Sequence, residues 1–194
     1  VQFLLSLRDG MMNLCIYGIM TTHPEIQDNF LPIEYFEYLH NELVNHYFPW
    51  YSTKIVNDTQ ENKLNNLQFV HIFYHEHSPI SGMVPIIQGC LEKIKPISVF
   101  KVKANLMPCQ NKIVEHGMHI DVEDEEDPQL PFTLPPITTS ILYMNTNDGY
   151  TKFEDGTIVE SVQNRFVTFP NYLKHTGTTT SNSEYRMVIN FNYV

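Results

Sequence analysis

His119, Ile120 and Asp121 place two metal-competent side chains two residues apart. In an extended chain, residues at that spacing project to the same side with Cα atoms about 6 to 7 Å apart, so one strand can grip one ion with an imidazole and a carboxylate. A third ligand has to come from elsewhere, and His175, in Lys174-His175-Thr176-Gly177, stands just past a β-rich segment. Two imidazoles and one carboxylate on one face of an ion, with the other positions open, is the arrangement by which non-haem iron(II) takes up an organic cosubstrate and dioxygen. Eleven residues after His175, Arg186 opens a final β segment whose alternation sets Arg186, Val188 and Asn190 on one face. Met187, Ile189, Phe191 and Tyr193 fall on the other face. The all-apolar face needs a dry layer to pack against, which turns Arg186 toward the interior, where a guanidinium needs an anion. A dicarboxylate supplies one, through two parallel charge-assisted hydrogen bonds.

Competing readings come from the same residue types. Nine histidines make an accidental His-x-Asp pair a real alternative; the order His119, Asp121, His175, Arg186, each beside its strand, sets this one apart. His116 lies three residues before His119, which in a strand points it to the opposite face and outside the ligand set. His71, His75 and His77 alternate onto one face, and His75-Glu76-His77 has the spacing of a second metal pair. The blander alternative is a polar sheet face near a substrate mouth.

With 194 residues and 42% hydrophobic side chains, the chain is long enough for one sizeable core, and one domain is expected. Its 12 basic against 22 acidic residues, a net charge of −10, argue against a reader of nucleic-acid backbones. Cys15, Cys90 and Cys109 are odd in number and form no CxxC, so neither a disulfide framework nor a thiolate zinc site is indicated, and a reducing, cytoplasmic setting fits best. No apolar stretch approaches the roughly 18 to 20 uninterrupted residues of a membrane span. The start Val1-Gln2-Phe3-Leu4-Leu5 lacks the basic region of a secretory leader, and Met11-Met12 suggests that the first ten residues precede the natural start.

The elements that must position these residues change character along the chain. Pro32 to His46 carries Ile33, Phe36, Leu39, Leu43 and Tyr47 three or four apart, and Pro85 to Lys95 carries Ile86, Ile87, Cys90, Leu91 and Ile94 on one face before Pro96. Both predict helices with one buried face. Leu67 to His77 is dense in β-branched and aromatic residues and reads as a strand. After Pro96 the period becomes two, with strands at Ser98 to Leu106, Thr138 to Asn145, Thr157 to Val162, Arg165 to Phe169 and Tyr185 to Val194. Short strands broken by Asn147-Asp148-Gly149 and Asp155-Gly156 suggest an antiparallel sandwich or jelly roll. Glu123 to Asp127, five acids running into a proline-rich stretch, reads as a loop, either simply solvated or a lid facing the substrate.

The ordered landmarks resemble a known family. They are His119-Ile120-Asp121, Leu142-Tyr143-Met144-Asn145, Gly149-Tyr150-Thr151-Lys152-Phe153, Arg165-Phe166-Val167-Thr168-Phe169-Pro170, His175 and Arg186, with Asp28-Asn29-Phe30-Leu31-Pro32 ahead of the first helix. Over about residues 24 to 194 they resemble the 2-oxoglutarate and Fe(II)-dependent dioxygenases, most closely the prolyl 4-hydroxylase-like branch. The resemblance implies a mainly β chain with N-terminal helices, a double-stranded β-helix (jelly roll, cupin-like barrel) covered by helices on one face. Residues 1–23 would be an extension, 24–97 a helical support region and 98–194 the barrel, in a single domain over 1–194. It also implies Fe(II) held by His119, Asp121 and His175, with Arg186 binding the far carboxylate of 2-oxoglutarate and Tyr143 hydrogen-bonding to it. Asn190 and Asn105 are weaker candidates for the same pocket.

The implied reaction couples decarboxylation of 2-oxoglutarate to succinate and CO2, with O2 consumed, to hydroxylation of an amino-acid or protein side chain, ascorbate being admissible as an accessory reductant. The partners implied are a small-molecule or peptide substrate, with neither nucleic acid nor membrane. Two departures stand out: Gly149-Tyr150 replaces the family's usual Gly-Gly pair, and Arg186 stands where many members use lysine. Two other readings compete, a cupin-like metal enzyme that does not use 2-oxoglutarate and a non-catalytic β-sandwich binding module. The acidic run after Asp121 would favour a cationic or neutral substrate.

Overall fold

In the computed structural model, residues 23–55, 67–122 and 136–194 are described. The N-terminal extension, most of the stretch between Trp50 and Asn66, and the acidic run Glu123 to Asp127 lie outside the described residues. Pro32 precedes α1 (Ile33–Val44), whose Phe36, Leu39 and Leu43 are buried and whose Glu34 suits the positive end of the helix dipole. The helix ends two residues short of His46, which leaves Tyr47 83% exposed; Ile33, at its first position, is half exposed, and the buried stripe consists of Phe36, Leu39 and Leu43. A 3₁₀ turn (Val84–Ile87) leads into α2 (Gln88–Ile94), which closes on Lys95 in the left-handed conformation before Pro96. The Tyr35 hydroxyl donates to the Ile86 carbonyl at 2.7 Å and accepts the Gly89 N–H at 2.9 Å, which ties α1 to α2.

Among the described residues there are eleven strands: β1 (Glu25–Gln27), β2 (Tyr51–Lys54), β3 (Leu67–His75), β4 (Ser78–Pro79), β5 (Val99–Pro108), β6 (Thr138–Tyr143), β7 (Tyr150–Phe153), β8 (Ile158–Glu160), β9 (Phe166–Pro170), β10 (His175–Gly177) and β11 (Tyr185–Tyr193). Eight belong to one antiparallel sheet in the order β1-β9-β6-β11-β5-β3-β2, with β4 on β3; β10-β7-β8 form a second. The region 24–97 is therefore more than helical support, since it contributes four of the large sheet's strands. Residues 115 and 119 bridge to Thr178 and His175, which lays the His-x-Asp segment along the free side of β10.

Alternation sorts the side chains of β6, β9 and β11 between two cores. Met187, Ile189 and Phe191 of β11, Leu142 of β6 and Phe166 of β9 pack with the two helices on the outer face of the large sheet. Val188, Ile141, Tyr143, Val167 and Phe169 turn the other way and meet Phe153 and Val159 of the smaller sheet. This is a double-stranded β-helix with helices on one outer face, as expected.

The histidine face of β3 does not form. A register shift against β5 between Ile72 and Tyr74 breaks the alternation inside β3, and Glu76 and His77, with positive φ of 46° and 63°, make the two-residue turn into β4. His71 is buried among Phe48 and Phe73, bonded to the Pro49 carbonyl and the Ser81 hydroxyl, each at 2.8 Å. His77 instead reaches Ser98 at 2.7 Å, and among the described residues neither His75 nor His77 belongs to a group of three or more side chains placed to hold a metal ion.

The segment before α1 is pinned by Asn164, a buried residue with φ 58°. Its amide accepts from Leu31 N and donates to Leu31 O, both at 2.8 Å. Phe30 stacks on Phe166 at 3.9 Å. Asn164→Ala should cost about 2 to 4 kcal/mol in denaturant unfolding, because it strands two buried backbone groups and puts a methyl side chain in the left-handed region.

Candidate active site

The His-x-Asp segment and β10 hold each other by reciprocal backbone bonds, His119 N to His175 O at 2.9 Å and His175 N to His119 O at 3.0 Å. That pairing sets the two imidazoles side by side, ring centroids 4.8 Å apart. The Nε2 atoms of His119 and His175 lie 3.5 and 3.7 Å from the same Asp121 oxygen, Oδ1. Ligand atoms of all three residues lie within 4.8 Å of one another. Each Nδ1 faces a carbonyl, Gly117 O at 3.1 Å for His119 and Leu173 O at 3.2 Å for His175. A carbonyl only accepts, so in the neutral form of each ring Nδ1 carries the proton and the Nε2 lone pair is turned toward the centre of the group.

The second Asp121 oxygen is held from the opposite sheet, by the amides of Asn192 at 3.2 Å and Asn190 at 3.4 Å, and Asn192 also reaches Thr139 Oγ1 at 3.0 Å. Burial works to raise the Asp121 pKa, but the His119 bond, the attraction that His175 and His119 exert when protonated and the Asn192 amide outweigh it and hold it well below the usual carboxylate range. Burial likewise pulls His119 down, yet its bonds to Asp121 and Gly117 leave it raised. His175 is only 2% exposed, and there desolvation prevails and its pKa is lowered. Two nitrogen donors and one anionic oxygen in this disposition fit a divalent transition metal with a preference for imidazole and carboxylate.

The same cavity, about 660 Å³, is lined at another point by Arg186. This guanidinium is 2% exposed, and among the described residues no carboxylate lies within 4 Å of it. Its Nε donates to Ser161 Oγ at 2.8 Å and its Nη2 to Thr151 Oγ1 at 3.2 Å, while its carbon head lies 5.6 Å from the Tyr143 ring. Burial lowers its pKa, but arginine stays charged in proteins, and a buried charge without a counter-ion is costly. The cavity thus presents a fixed cation to any carboxylate that enters it.

Of the residues singled out in the sequence, His119, Asp121 and His175 converge, and Arg186, Asn190 and Asn105 line the same cavity. Asn190 Oδ1 is buried there with no hydrogen-bond partner among the described residues. Asn105 sends its own amide to the Lys103 carbonyl at 3.4 Å. Tyr143 does not line the cavity. Its hydroxyl donates to Thr151 Oγ1 at 2.7 Å, behind Arg186. His116 does line the cavity, contrary to the opposite-face expectation, because its segment is bridged only at 115 and 119 and never acquires a strand's regular alternation; it remains outside the metal-competent group.

Tyr150, at the position of the usual second glycine, donates to Glu115 at 2.6 Å away from the cavity lining. Thr151, Ser161, Asn192, Lys101 and Lys103 were not foreseen as site residues. Continuing the Arg186, Val188, Asn190 alternation by one step would have found Asn192.

No protein-family model matches the sequence, and no curated protein aligns with it. Solved structures do. A viral collagen prolyl hydroxylase from Paramecium bursaria Chlorella virus 1, in complex with 2-oxoglutarate, superposes with a TM-score of 0.60 at 14% identity, over 91% of this chain and 99% of that one. A Trichoplax adhaerens prolyl hydroxylase bound to a hypoxia-inducible-factor peptide gives 0.61 at 12%, over 100% and 93%. A Pseudomonas putida prolyl-4-hydroxylase gives 0.55 at 14%, over 89% and 93%. The chain has the fold of these enzymes.

The position of Arg186 depends on Gly149. A Cβ there would meet Arg186 Cδ at 2.6 Å and the Thr179 carbonyl at 2.7 Å. Gly149→Ala should therefore lower unfolding stability by about 1 to 3 kcal/mol, the range for overpacking. Gly82→Ala, where nothing lies within 4 Å, should stay within about 0.5 kcal/mol of the parent.

Proposed function

We propose that this chain is an Fe(II)- and 2-oxoglutarate-dependent dioxygenase that hydroxylates an amino-acid side chain, most simply within a peptide. One observation carries the reading: a single cavity holds a convergent His119, Asp121, His175 group and a buried Arg186 with no carboxylate of its own among the described residues. The fold shared with prolyl hydroxylases solved with 2-oxoglutarate and with a peptide supports it.

Bound iron(II) with 2-oxoglutarate would supply the oxidising chemistry, in which decarboxylation to succinate and CO2 accompanies insertion of one oxygen atom into a substrate C–H bond. The chain's own contribution is placement. His119 and His175 offer neutral Nε2 lone pairs, and Asp121 offers one negative charge that offsets half that of a divalent ion. Arg186, steadied by Ser161 and Thr151, meets the far carboxylate of 2-oxoglutarate with parallel N–H donors. Thr151 accepts from both Tyr143 and Arg186, so Tyr143 acts here by fixing the guanidinium's seat. Ile141 and Val188 supply apolar lining between these polar groups. A cupin-like enzyme without 2-oxoglutarate would leave Arg186 as an uncompensated buried charge, and a binding module would have no use for three converging ligands.

Anaerobic addition of Fe(II) and 2-oxoglutarate should give a visible charge-transfer band, and succinate should form in air; absence of both from iron-loaded protein would remove the proposal. His119→Ala should abolish iron binding by calorimetry. Arg186→Ala should keep iron but lose about 2 to 5 kcal/mol of 2-oxoglutarate affinity, the range for truncating one side of a desolvated charge pair. Asn192→Ala should weaken iron about 10- to 100-fold with the three ligands intact, because it frees Asp121 Oδ2.

A further inference from the structure

The chain carries a net charge of −10, yet its cavity is basic. Lys101, Lys103, Lys174 and Arg186 line it, and Asp121 is its single lining carboxylate among the described residues. Lys174 is offset by Glu154 at 3.7 Å. On the reading above, on which this inference rests, a divalent ion, Asp121, a dicarboxylate and Arg186 cancel among themselves. Lys101 and Lys103 are left over.

Their place in the sheet is specific. Both stand on β5 two residues apart, hence on one face. Across β11 they are registered with Asn192 and Asn190, the two amides that hold Asp121. Arg186 is registered with Met107, four residues further along β5 from Lys103, which is about 13 Å of strand. The lysines therefore lie abreast of the metal-competent group, away from the Arg186 end where 2-oxoglutarate would anchor. Among the described residues neither ammonium has a carboxylate within 4 Å. Burial, and then the neighbouring Lys101 charge, lower the Lys103 pKa despite the attraction of Asp121. Two like charges facing one partly desolvated space are unfavourable alone and become favourable when an anion lies between them.

We propose that the substrate presents a carboxylate near the carbon to be hydroxylated, on the reacting residue or on its neighbour, and that Lys101 and Lys103 bind it. The unpartnered Asn190 Oδ1 offers an acceptor beside them for a substrate N–H. An acidic residue of a peptide and a free acidic amino acid share this chemistry. The direction is opposite to the cationic or neutral preference expected from the acidic run that follows Asp121.

The test uses the full chain loaded with Fe(II) and 2-oxoglutarate. Three peptide pools with a randomised central residue flanked by Glu, Gln or Lys are compared for gain of one oxygen by mass, with free Glu and Gln run in parallel to separate the two sources. The Glu pool should exceed the Gln pool by about tenfold or more in kcat/KM, as expected for a close charge pair. Lys101→Glu should move the preference to the Lys pool, and Lys103→Gln should lessen the Glu advantage without reversing it. Preference for the Lys pool, equal use of all three, no response from either acidic source, or a Lys101→Glu protein changed only in its 2-oxoglutarate affinity overturns the proposal. Succinate formed without any peptide, and iron-dependent 2-oxoglutarate binding, report separately on the oxygenase reading, which can stand while this one fails.

Discussion

The Asp121 carboxylate is where the two sheets meet, and the site depends on its being satisfied from both. One oxygen faces the imidazoles brought by the smaller sheet, and the other faces the amides of Asn190 and Asn192 on β11 of the larger. A buried carboxylate is tolerated only when partners surround it, so the contacts that keep Asp121 ionised also hold the sheets in register over the cavity. The reciprocal backbone bonds between His119 and His175 serve the same end, since they fix the separation of the two rings before any side chain is considered.

Strand β11 carries the second half of the arrangement. Its odd-numbered residues from Met187 to Phe191 close the core beneath the helices, while Arg186, Val188, Asn190 and Asn192 look into the barrel. A one-residue slip would drive the guanidinium into the helical core and bring Met187 to the cavity, so the apolar face of this strand enforces the register on which the polar face relies. Gly149 allows the arginine stem to lie close against the neighbouring loop, and Tyr143, Thr151 and Ser161 determine where its head can point.

Charge is distributed against the average of the chain. The protein is acidic overall, but the walls of its cavity are cationic, and fields inside a low-dielectric cleft act on a ligand more strongly than scattered surface charges do. Two of these cations belong to β5, whose alternation of Lys101, Lys103 and Asn105 with buried Val102 and Ala104 repeats the two-faced pattern of β11 beside it.

Much of this was written in the order of residues. The period-two run from Arg186 onward, the His-x-Asp spacing and the helical stripe of Phe36, Leu39 and Leu43 determined the two-faced strand, the metal-competent pair and the covering layer, because each depends on neighbours a few residues away. Where local regularity fails, spacing no longer fixes which way a side chain points. His77 sits in a turn with positive φ, and His116 lies in a segment too irregular to alternate. Only the tertiary structure decided that Asn192 supports Asp121, that Tyr143 serves Arg186 through Thr151, and that Lys101 and Lys103 stand abreast of the metal-competent group. Those relations are set by strand pairing and sheet-to-sheet contact between distant parts of the chain, and the local periodicity of a single sequence carries no record of which strand lies beside which.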